Sequence, residues 1–377
     1  MERIMTQVHI ADIHFGCIDP QKELEILTNQ FLNPISRIQF DILAIDGDLF
    51  DRRFSANNPA VAAAIEFVNR CAMLCTMRNA ALIMISGTES HEAGQLSLFQ
   101  DIGSTTGCEI HIVNTIQFIH THDVKILCIP EEYGKGMGYY ENYLKQTYDY
   151  CFMHGTLVGG IIGANQERLD GPREPVFSID SFSGCKGPII SGHVHTAMCL
   201  NSYMYYLSSP IRYRFGEEGE KGYAIVLSNL DTHAHYYQFM PIQSFRYDTI
   251  GINQLASSDP NQMIKELEQL QANGIDYLRL DCSGLELWKQ QVLSKFVHEN
   301  RDCHIKLYNT TREKEDSSQI ADGSVNTTEG VMEKLRGMEF LLDEKIDPLT
   351  KFVLYLNFNE GSQFISIEKL KEILGKT

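Results

Sequence analysis

Apolar positions along the first part of the chain recur in two alternating rhythms. Arg3 to Ala11, largely apolar from Val8, reads as a first strand, and Asp41 to Ile45 and Ala81 to Ser86 carry short runs in which nearly every position is apolar. Such runs suit strands covered on both faces. Between them, Lys22 to Phe31 is amphipathic, and Val61, Ile65, Val68, Ala72 and Cys75 recur at helical spacing. Asp19-Pro20 and Asn58-Pro59 mark the starts of these helices, each an oxygen-bearing cap followed by proline at the first helical position. From Cys108 the rhythm changes. Glu109 to Val113, Ile116 to His120, Val124 to Pro130 and Tyr148 to Met153 read as short strands without long helices between them. Pro188 to Ser191, Met204 to Leu207, Tyr223 to Leu227 and His235 to Phe239 continue the series, and the glycine-rich stretch Gly155 to Gly171 predicts a mobile loop. Helix–strand alternation followed by strand succession predicts an α/β fold of two facing sheets with helices outside, over residues 1–245.

A different unit follows, assigned to residues 246–309. Asp259-Pro260 caps a helix with Ile264, Leu267 and Leu270 on one face. Tyr277 to Leu280 predicts a strand, Leu285 to His298 a helix with Trp288 in the core of the unit, and His304 to Tyr308 a further strand. Residues 310–330 are polar and lack apolar periodicity, which predicts a linker. Residues 331–377 carry two short amphipathic segments, Val331 to Lys345 and Ile367 to Leu374, expected to form helices that dock a partner.

The chemistry gathers at strand ends. Asp12-Ile13-His14 follows the first strand and Asp46-Gly47-Asp48 the second. Met153-His154-Gly155 closes a later one, and Ile189-Ile190-Ser191 runs into Gly192-His193-Val194-His195. Four strand-to-loop junctions thus each deliver Asp or His, the ligand set of hard-to-borderline divalent ions. A single Asp after a strand is commonly a helix cap, and the weight lies in all four together. Two divalent ions about 3.5–4 Å apart activate water and neutralise charge that develops on phosphoryl oxygens. Asp48 is the candidate bridging carboxylate, Asp12, His14 and His195 complete one ion's shell, and His154 and His193 serve the other. His120, His122, His233 and His235 read as surface turn residues.

Composition narrows the classes of partner. Over 377 residues, 43% are hydrophobic and 21% charged, which is ordinary for a globular chain. No apolar run stands out as a membrane span, and Met1 to Phe15 lacks the layout of a signal peptide. Ten cysteines, mostly inside apolar runs and never as Cys-x-x-Cys, are expected to be reduced core residues in a cytoplasmic setting, a host's cytoplasm if the source is viral. The formal net charge of -17 argues against holding nucleic acid by bulk electrostatics. A nucleic-acid enzyme with this balance needs its metals, a local basic patch or a partner with positive surface.

Asp12-x-His14, Gly47-Asp48-x-x-Asp51, Gly87…His91, His154-Gly155 and Gly192-His193-x-His195 stand in the order of the calcineurin-like metallophosphoesterases, which the chain resembles over about residues 3–230. More narrowly, Ser208-Ser209-Pro210-Ile211-Arg212…Phe215-Gly216-Glu217-Glu218…Lys221-Gly222 resembles the segment after the last histidine motif in SbcD-type DNA repair nucleases. The resemblance implies an α/β/β/α sandwich with a small α/β capping domain and C-terminal helices. It implies two manganese ions, with magnesium as the alternative, and exonuclease and endonuclease action on DNA. A partner ATPase of the SbcC kind and a homodimer within the complex are also implied. The family's third motif is usually Gly-Asn-His-Asp, with the Asn on a metal and the His serving the leaving group. Here the chain reads Gly87-Thr88-Glu89-Ser90-His91-Glu92. His91 is then the expected catalytic residue, and Ser90 or Glu89 the expected substitute ligand. Arg52, Arg53, Arg212 and Arg214 are candidates for phosphate contact. Two rival readings stand beside this one: a phosphoesterase on nucleotides or other small esters, which the acidity favours, and a catalytically weakened subunit that only assembles with its partner and DNA.

Overall fold

A computed structural model describes residues 3–92, 94–157, 176–217, 219–300 and 304–308. The expected linker 310–330, the segments in 331–377 and most of the Gly155 to Gly171 loop lie outside the described residues.

The strands run β1 (Ile4–Ile10), β2 (Ile42–Asp46), β3 (Ala81–Ile85), β4 (Glu109–Val113), β5 (Gln117–Thr121), β6 (Val124–Ile129) and β7 (Tyr150–His154). They continue with β8 (Thr156–Leu157), β9 (Val176–Phe177), β10 (Ile189–Gly192), β11 (Met198–Cys199), β12 (Met204–Tyr206), β13 (Lys221–Asn229) and β14 (His235–Ile242). One six-stranded sheet has the order β14-β13-β1-β2-β3-β4, the other β11-β12-β10-β7-β6-β5, and β8 and β9 form a small ladder of their own. Within the first sheet β1 to β4 are parallel neighbours, and within the second β6, β7, β10 and β12 are. Their carboxyl ends therefore open on the same sides of the two sheets. This is the α/β two-sheet arrangement that the alternation of apolar runs predicts.

Strand periodicity explains how the sheets face each other. Side chains alternate faces along a strand. On β2, Ile42 and Ala44 join the core between the sheets, while Leu43 and Ile45 join the core under the helices. On β7, Tyr150 and Phe152 face the inter-sheet core, and Cys151 and Met153 face the outer layer with the helix Met137–Leu144. Carrying the same alternation onward puts Asp46 and His154 on the inter-sheet side. Gln7 and His9 of β1 follow Met5 onto that side as well. His9 packs edge-on against Phe152 with ring centroids 4.6 Å apart. Its Nδ1 lies 2.8 Å from Asp46 Oδ2, and its Nε2 lies 3.2 Å from Gln7 Oε1. The layer between the sheets is thus apolar at one end and becomes a hydrogen-bonded polar layer toward the strand mouths.

The outer helices start where the sequence marks them. Asp19 accepts from the N–H groups of Gln21 and Lys22, and Asn58 from that of Ala60. The helix Pro59–Arg78 ends at Asn79 in the left-handed conformation. By length and composition this helix could cross a membrane, which the sequence reading did not pick out. Here half of its apolar window is buried inside the molecule, with Val61, Ala64, Phe67, Val68, Cys71 and Cys75 in the core below the first sheet.

The last described unit has a sheet and a core of its own. It begins with a strand that the sequence pattern does not single out, β15 (Tyr247–Gly251), which pairs in parallel with β16 (Tyr277–Asp281), itself parallel to β17 (Ile305–Tyr308). The helices Pro260–Ala272 and Leu287–Glu299 cover it through Met263, Leu267 and Leu293. Trp288 was expected in this core and is instead 54% exposed. It sits in the first turn of its helix, where Leu293 and Phe296 supply the inward face.

Candidate metal centre

The two sheets bring together the ends of β1, β2, β6, β7 and β10 and the loop after β3. Beyond its last ladder pair, β1 stays bound to β2. Asp12 N–H donates to the Gly47 carbonyl at 3.0 Å, and His14 N–H to the Asp48 carbonyl at 3.0 Å. Asp12, His14, Asp48, His193 and His195 all adopt positive φ, between 50° and 95°. Non-glycine residues in that region are uncommon and cluster at functional sites, although Asp and His tolerate it better than most. Gly47, with φ +93°, allows closest approach: a Cβ there would land on the His154 ring. A Cβ on Gly192 would meet the Asp46 carbonyl and the same ring.

Asp12, His14, Asp48 and His154 are buried, and their ligand-type atoms fall into overlapping clusters. Asp12, His14 and His195 form one, Asp12, Asp48 and His154 a second, and His14, Asp48 and His91 a third, each with its atoms within 4.8 Å of one another. Glu131, His154 and His193 form a fourth. The six residues expected as ligands are therefore drawn to one place, with His91 at its rim. His91 is the more open group, its side chain 24% exposed, with Nδ1 3.1 Å from His14 Nδ1 and 3.7 Å from Asp48 Oδ2.

Two of the imidazoles, His154 and His195, are aimed by a partner on the far side of the ring. His154 Nδ1 lies 2.8 Å from the Asp46 carbonyl, which fixes the proton on Nδ1 because a carbonyl only accepts. Its buried Nε2 makes no hydrogen bond and faces carboxylate oxygens of Asp48 at 3.3 Å, Glu131 at 3.7 Å and Asp12 at 4.0 Å. A lone pair pointing at carboxylates is unfavourable unless a proton or a cation lies between them. His195 Nδ1 lies 3.3 Å from Glu217 Oε1, leaving Nε2 to face Asp12 Oδ1 at 3.6 Å and His14 Nε2 at 2.9 Å. Backing of a ligating histidine by a carboxylate or carbonyl is the usual support of a metal centre. The donor set, three buried carboxylates among imidazoles turned toward them, fits divalent cations.

Electrostatics agree with that assignment. Burial lowers His14 well below its ordinary value, and burial with the neighbouring His154 takes His193 down to about 3, so both rings are neutral. Burial raises Asp12, against the pull of His195 and His154. Burial also works against a charged Asp48, but His154, His14 and His91 hold it well below the usual carboxylate range. On His154 burial opposes a proton, while Asp48, Asp12 and Glu131 hold one there. Glu217 is kept down at about 2 despite burial, by its hydrogen bond to His195 and by Lys221.

Several of these residues escape a reading of the sequence. Glu131 follows the apolar strand β6, so it carries the same signal as the four junctions that were recognised. Glu92 is buried and accepts from Leu49 N–H at 2.6 Å and Gly87 N–H at 2.7 Å, tying the mouth of β2 to that of β3. The segment Ser208 to Gly222 holds His195 in place. Lys221 Nζ donates to the His195 carbonyl at 2.8 Å and Ser209 Oγ at 3.0 Å and pairs with Glu217 at 3.1 Å. Tyr213 donates to the Ile13 carbonyl and lies edge-on to His14.

Two expectations are redrawn. Glu89 and Ser90 stand exposed on the short helix Glu89–Glu92, and Glu89 belongs to none of the four clusters, because these residues of the third motif turn outward. Thr88, directly after Gly87, points inward in their place. The candidate phosphate-binding arginines lie at the periphery. Arg52, Arg53 and Arg214 are exposed, Arg52 pairing with Asp51 at 3.3 Å, and Arg212 donates to the Gly219 carbonyl at 3.3 Å.

No family model matches the sequence, and no curated protein matches it. Among solved structures, a "conserved uncharacterized protein (predicted phosphoesterase)" from Streptococcus pneumoniae TIGR4 overlaps 63% of this chain and 100% of its own at 10% identity, TM-score 0.27. A cold-active protein-tyrosine phosphatase of a psychrophilic Shewanella species overlaps 62% of this chain and 80% of its own at 13% identity, TM-score 0.31. A protein of unknown function from Aquifex aeolicus overlaps 39% and 76% at 17% identity, TM-score 0.22. Overlaps this slight add nothing to the strand order and ligand geometry described above.

If Glu217 aims His195, Glu217→Gln should weaken binding of a divalent ion by about 10–100-fold, and it should lower the unfolding midpoint because the buried Lys221 loses its partner. Isothermal titration with manganese reads the first quantity and chemical denaturation the second. Unchanged manganese affinity would show that the carboxylate has no such role.

Proposed function

We propose that the chain is a divalent-metal-dependent phosphoesterase whose substrate is the phosphodiester backbone of DNA. The observation that carries the first half is the convergence of Asp12, His14, Asp48, His154, His193 and His195 from separate strand ends, with Nε2 of His154 and of His195 turned toward the carboxylates. Bound divalent ions, of which manganese is the favoured candidate and magnesium the alternative, supply Lewis acidity toward a phosphoryl oxygen and activation of the attacking water. The residues' own part is to hold that chemistry still. Asp12 is fixed by the His193 N–H, 3.0 Å from both of its oxygens, and Asp48 by the Thr88 N–H at 2.7 Å. To His91, at the open rim with a partly exposed side chain, this reading assigns the proton for a departing sugar oxygen.

DNA as substrate rests on the SbcD-like segment Ser208 to Gly222 and on the exposed arginines 52, 53 and 214 near the site. The same likeness supports action as the nuclease subunit of a repair or recombination complex with an SbcC-like ATPase, as a homodimer, through residues 331–377. The net charge of -17 favours a second reading, hydrolysis of a nucleotide or other small ester by the same centre. Activity with and without manganese on circular single-stranded DNA, linear duplex and nitrophenyl esters separates the two. Cleavage of esters but of neither DNA supports the small-substrate reading.

Three outcomes are expected. Asp48→Ala or His193→Ala should abolish manganese-dependent phosphodiester hydrolysis while the circular dichroism spectrum stays native, and near-normal turnover by either variant would refute the metal centre. His91→Asn should lose roughly 10²–10⁴-fold on DNA but far less on a nitrophenyl ester, whose leaving group needs no proton. Equal losses on both substrates would exclude leaving-group assistance. Truncation after Asn309 should keep ester hydrolysis and lose co-purification with the ATPase, and an intact complex would refute docking through that region.

A further inference from the structure

The third motif leaves one ligand position unexplained. In the family that the sequence resembles, an amide oxygen follows the motif's glycine, and here Thr88 does. A hydroxyl is a weak neutral ligand, and Thr88 is already engaged. Its N–H donates to Asp48 Oδ1 at 2.7 Å, and its Oγ1 lies 2.9 Å from Glu131 Oε2 and 3.2 Å from Asp48 Oδ2. One hydroxyl proton cannot satisfy two carboxylate oxygens. The shorter distance assigns it to Glu131, which leaves Asp48 Oδ2 facing the group without a proton between them.

Glu131 comes from the mouth of β6, on the opposite sheet from Thr88, and is buried. Besides the Thr88 hydroxyl, its Oε2 faces His193 Nδ1 at 3.4 Å and His154 Nε2 at 3.7 Å. His154 Nε2 is the buried atom that makes no hydrogen bond, and its Nδ1 proton is fixed on the Asp46 carbonyl. One carboxylate oxygen and two imidazole nitrogens thus converge, while Glu89 and Ser90 are exposed and Glu89 lies outside every cluster.

We propose that Glu131, oriented by Thr88, is a ligand of the second divalent ion beside His154 and His193, in place of the neutral amide that this chain lacks. The assignment rests on the metal centre of the preceding section and deepens it. It gives the pair of ions three carboxylates, Asp12, Asp48 and Glu131, so the loaded centre carries one positive charge fewer than it would with a neutral ligand. It also ties the two sheets together across the site: Thr88 from the first sheet steadies a ligand from the second.

Manganese titrations followed by electron paramagnetic resonance test this on the full chain. The wild type should bind two ions and give the exchange-coupled signal of a close pair. Glu131→Leu, which fills similar space but offers neither carboxylate nor amide oxygen, should keep one ion and weaken the second by about 10-fold or more, replacing the coupled signal with that of isolated manganese. Thr88→Val, which removes only the orienting hydroxyl, should weaken the second ion by about 10–100-fold. Ser90→Ala and Glu89→Gln should leave both ions and the coupling unchanged. Two ions at wild-type affinity in Glu131→Leu, or loss of the second ion in Ser90→Ala or Glu89→Gln, would overturn the assignment. Two coupled ions in a wild type that hydrolyses no phosphoester would overturn the functional reading and leave Glu131 as a ligand. Binding of fewer than two ions by the wild type would overturn both.

Discussion

The structure depends on keeping two carboxylates, Asp12 and Asp48, buried side by side. Taking one anion out of water already costs several kcal/mol, and a second anion nearby adds repulsion. The fold answers first with backbone. The ladder between β1 and β2 continues past the strands through Asp12 and His14, so the two acids cannot drift apart. The second sheet then supplies the His193 N–H to Asp12, and the third motif supplies the Thr88 N–H to Asp48. Imidazoles fill the remaining directions, and a divalent cation is the partner that the whole set is shaped to receive.

That arrangement is stiff because its conformations are not those the residues prefer. Asp12, His14, Asp48, His193 and His195 sit at positive φ, at a cost on the order of 1 kcal/mol or more each. Such strain persists only where surrounding contacts over-determine it. Here those contacts are the apolar packing of both sheets below the site and the His9–Asp46 pair just beneath it. The benefit is that little rearrangement is needed when charge develops at the centre, since the donors and lone pairs are already aimed. Lys221 and Glu217 extend the same logic outward, fixing the loop that carries His195 from both its carbonyl and its ring.

How much of this was legible follows from where the signals are local. Apolar runs and Asp-Pro or Asn-Pro caps are local, and β1, β2, β3, β7 and β10 and the helices Pro20–Leu27 and Pro59–Arg78 appear close to where the pattern puts them. Asp and His after an apolar run are local as well, so the six candidate ligands could be read together. Glu131 carried the same signal but came after a proline and before a second glutamate, and looked like the start of a polar loop. Thr88 against Ser90 could not be decided from spacing, because which way a two-residue insertion bulges depends on what packs above it. Trp288 misled for a related reason: a large apolar side chain in a helix's first turn has no fixed face until the sheet beneath is in place. Glu217 and Lys221 lie four apart in sequence, but their work on His195 exists only once the chain folds back across the site.

The acidity of the chain constrains how the proposed centre meets DNA. A net charge of -17 repels an approaching polyanion within roughly a Debye length, about 8 Å at physiological salt, and salt screens it further out. Exposed arginines at 52, 53 and 214 can act only inside that distance, after the backbone is already near. Association by long-range attraction, the usual route for a nucleic-acid enzyme, is closed to this chain alone. On the proposed reading, capture and catalysis are therefore divided. A basic partner brings the duplex in, and this chain contributes a metal centre whose own positive charge is felt at contact.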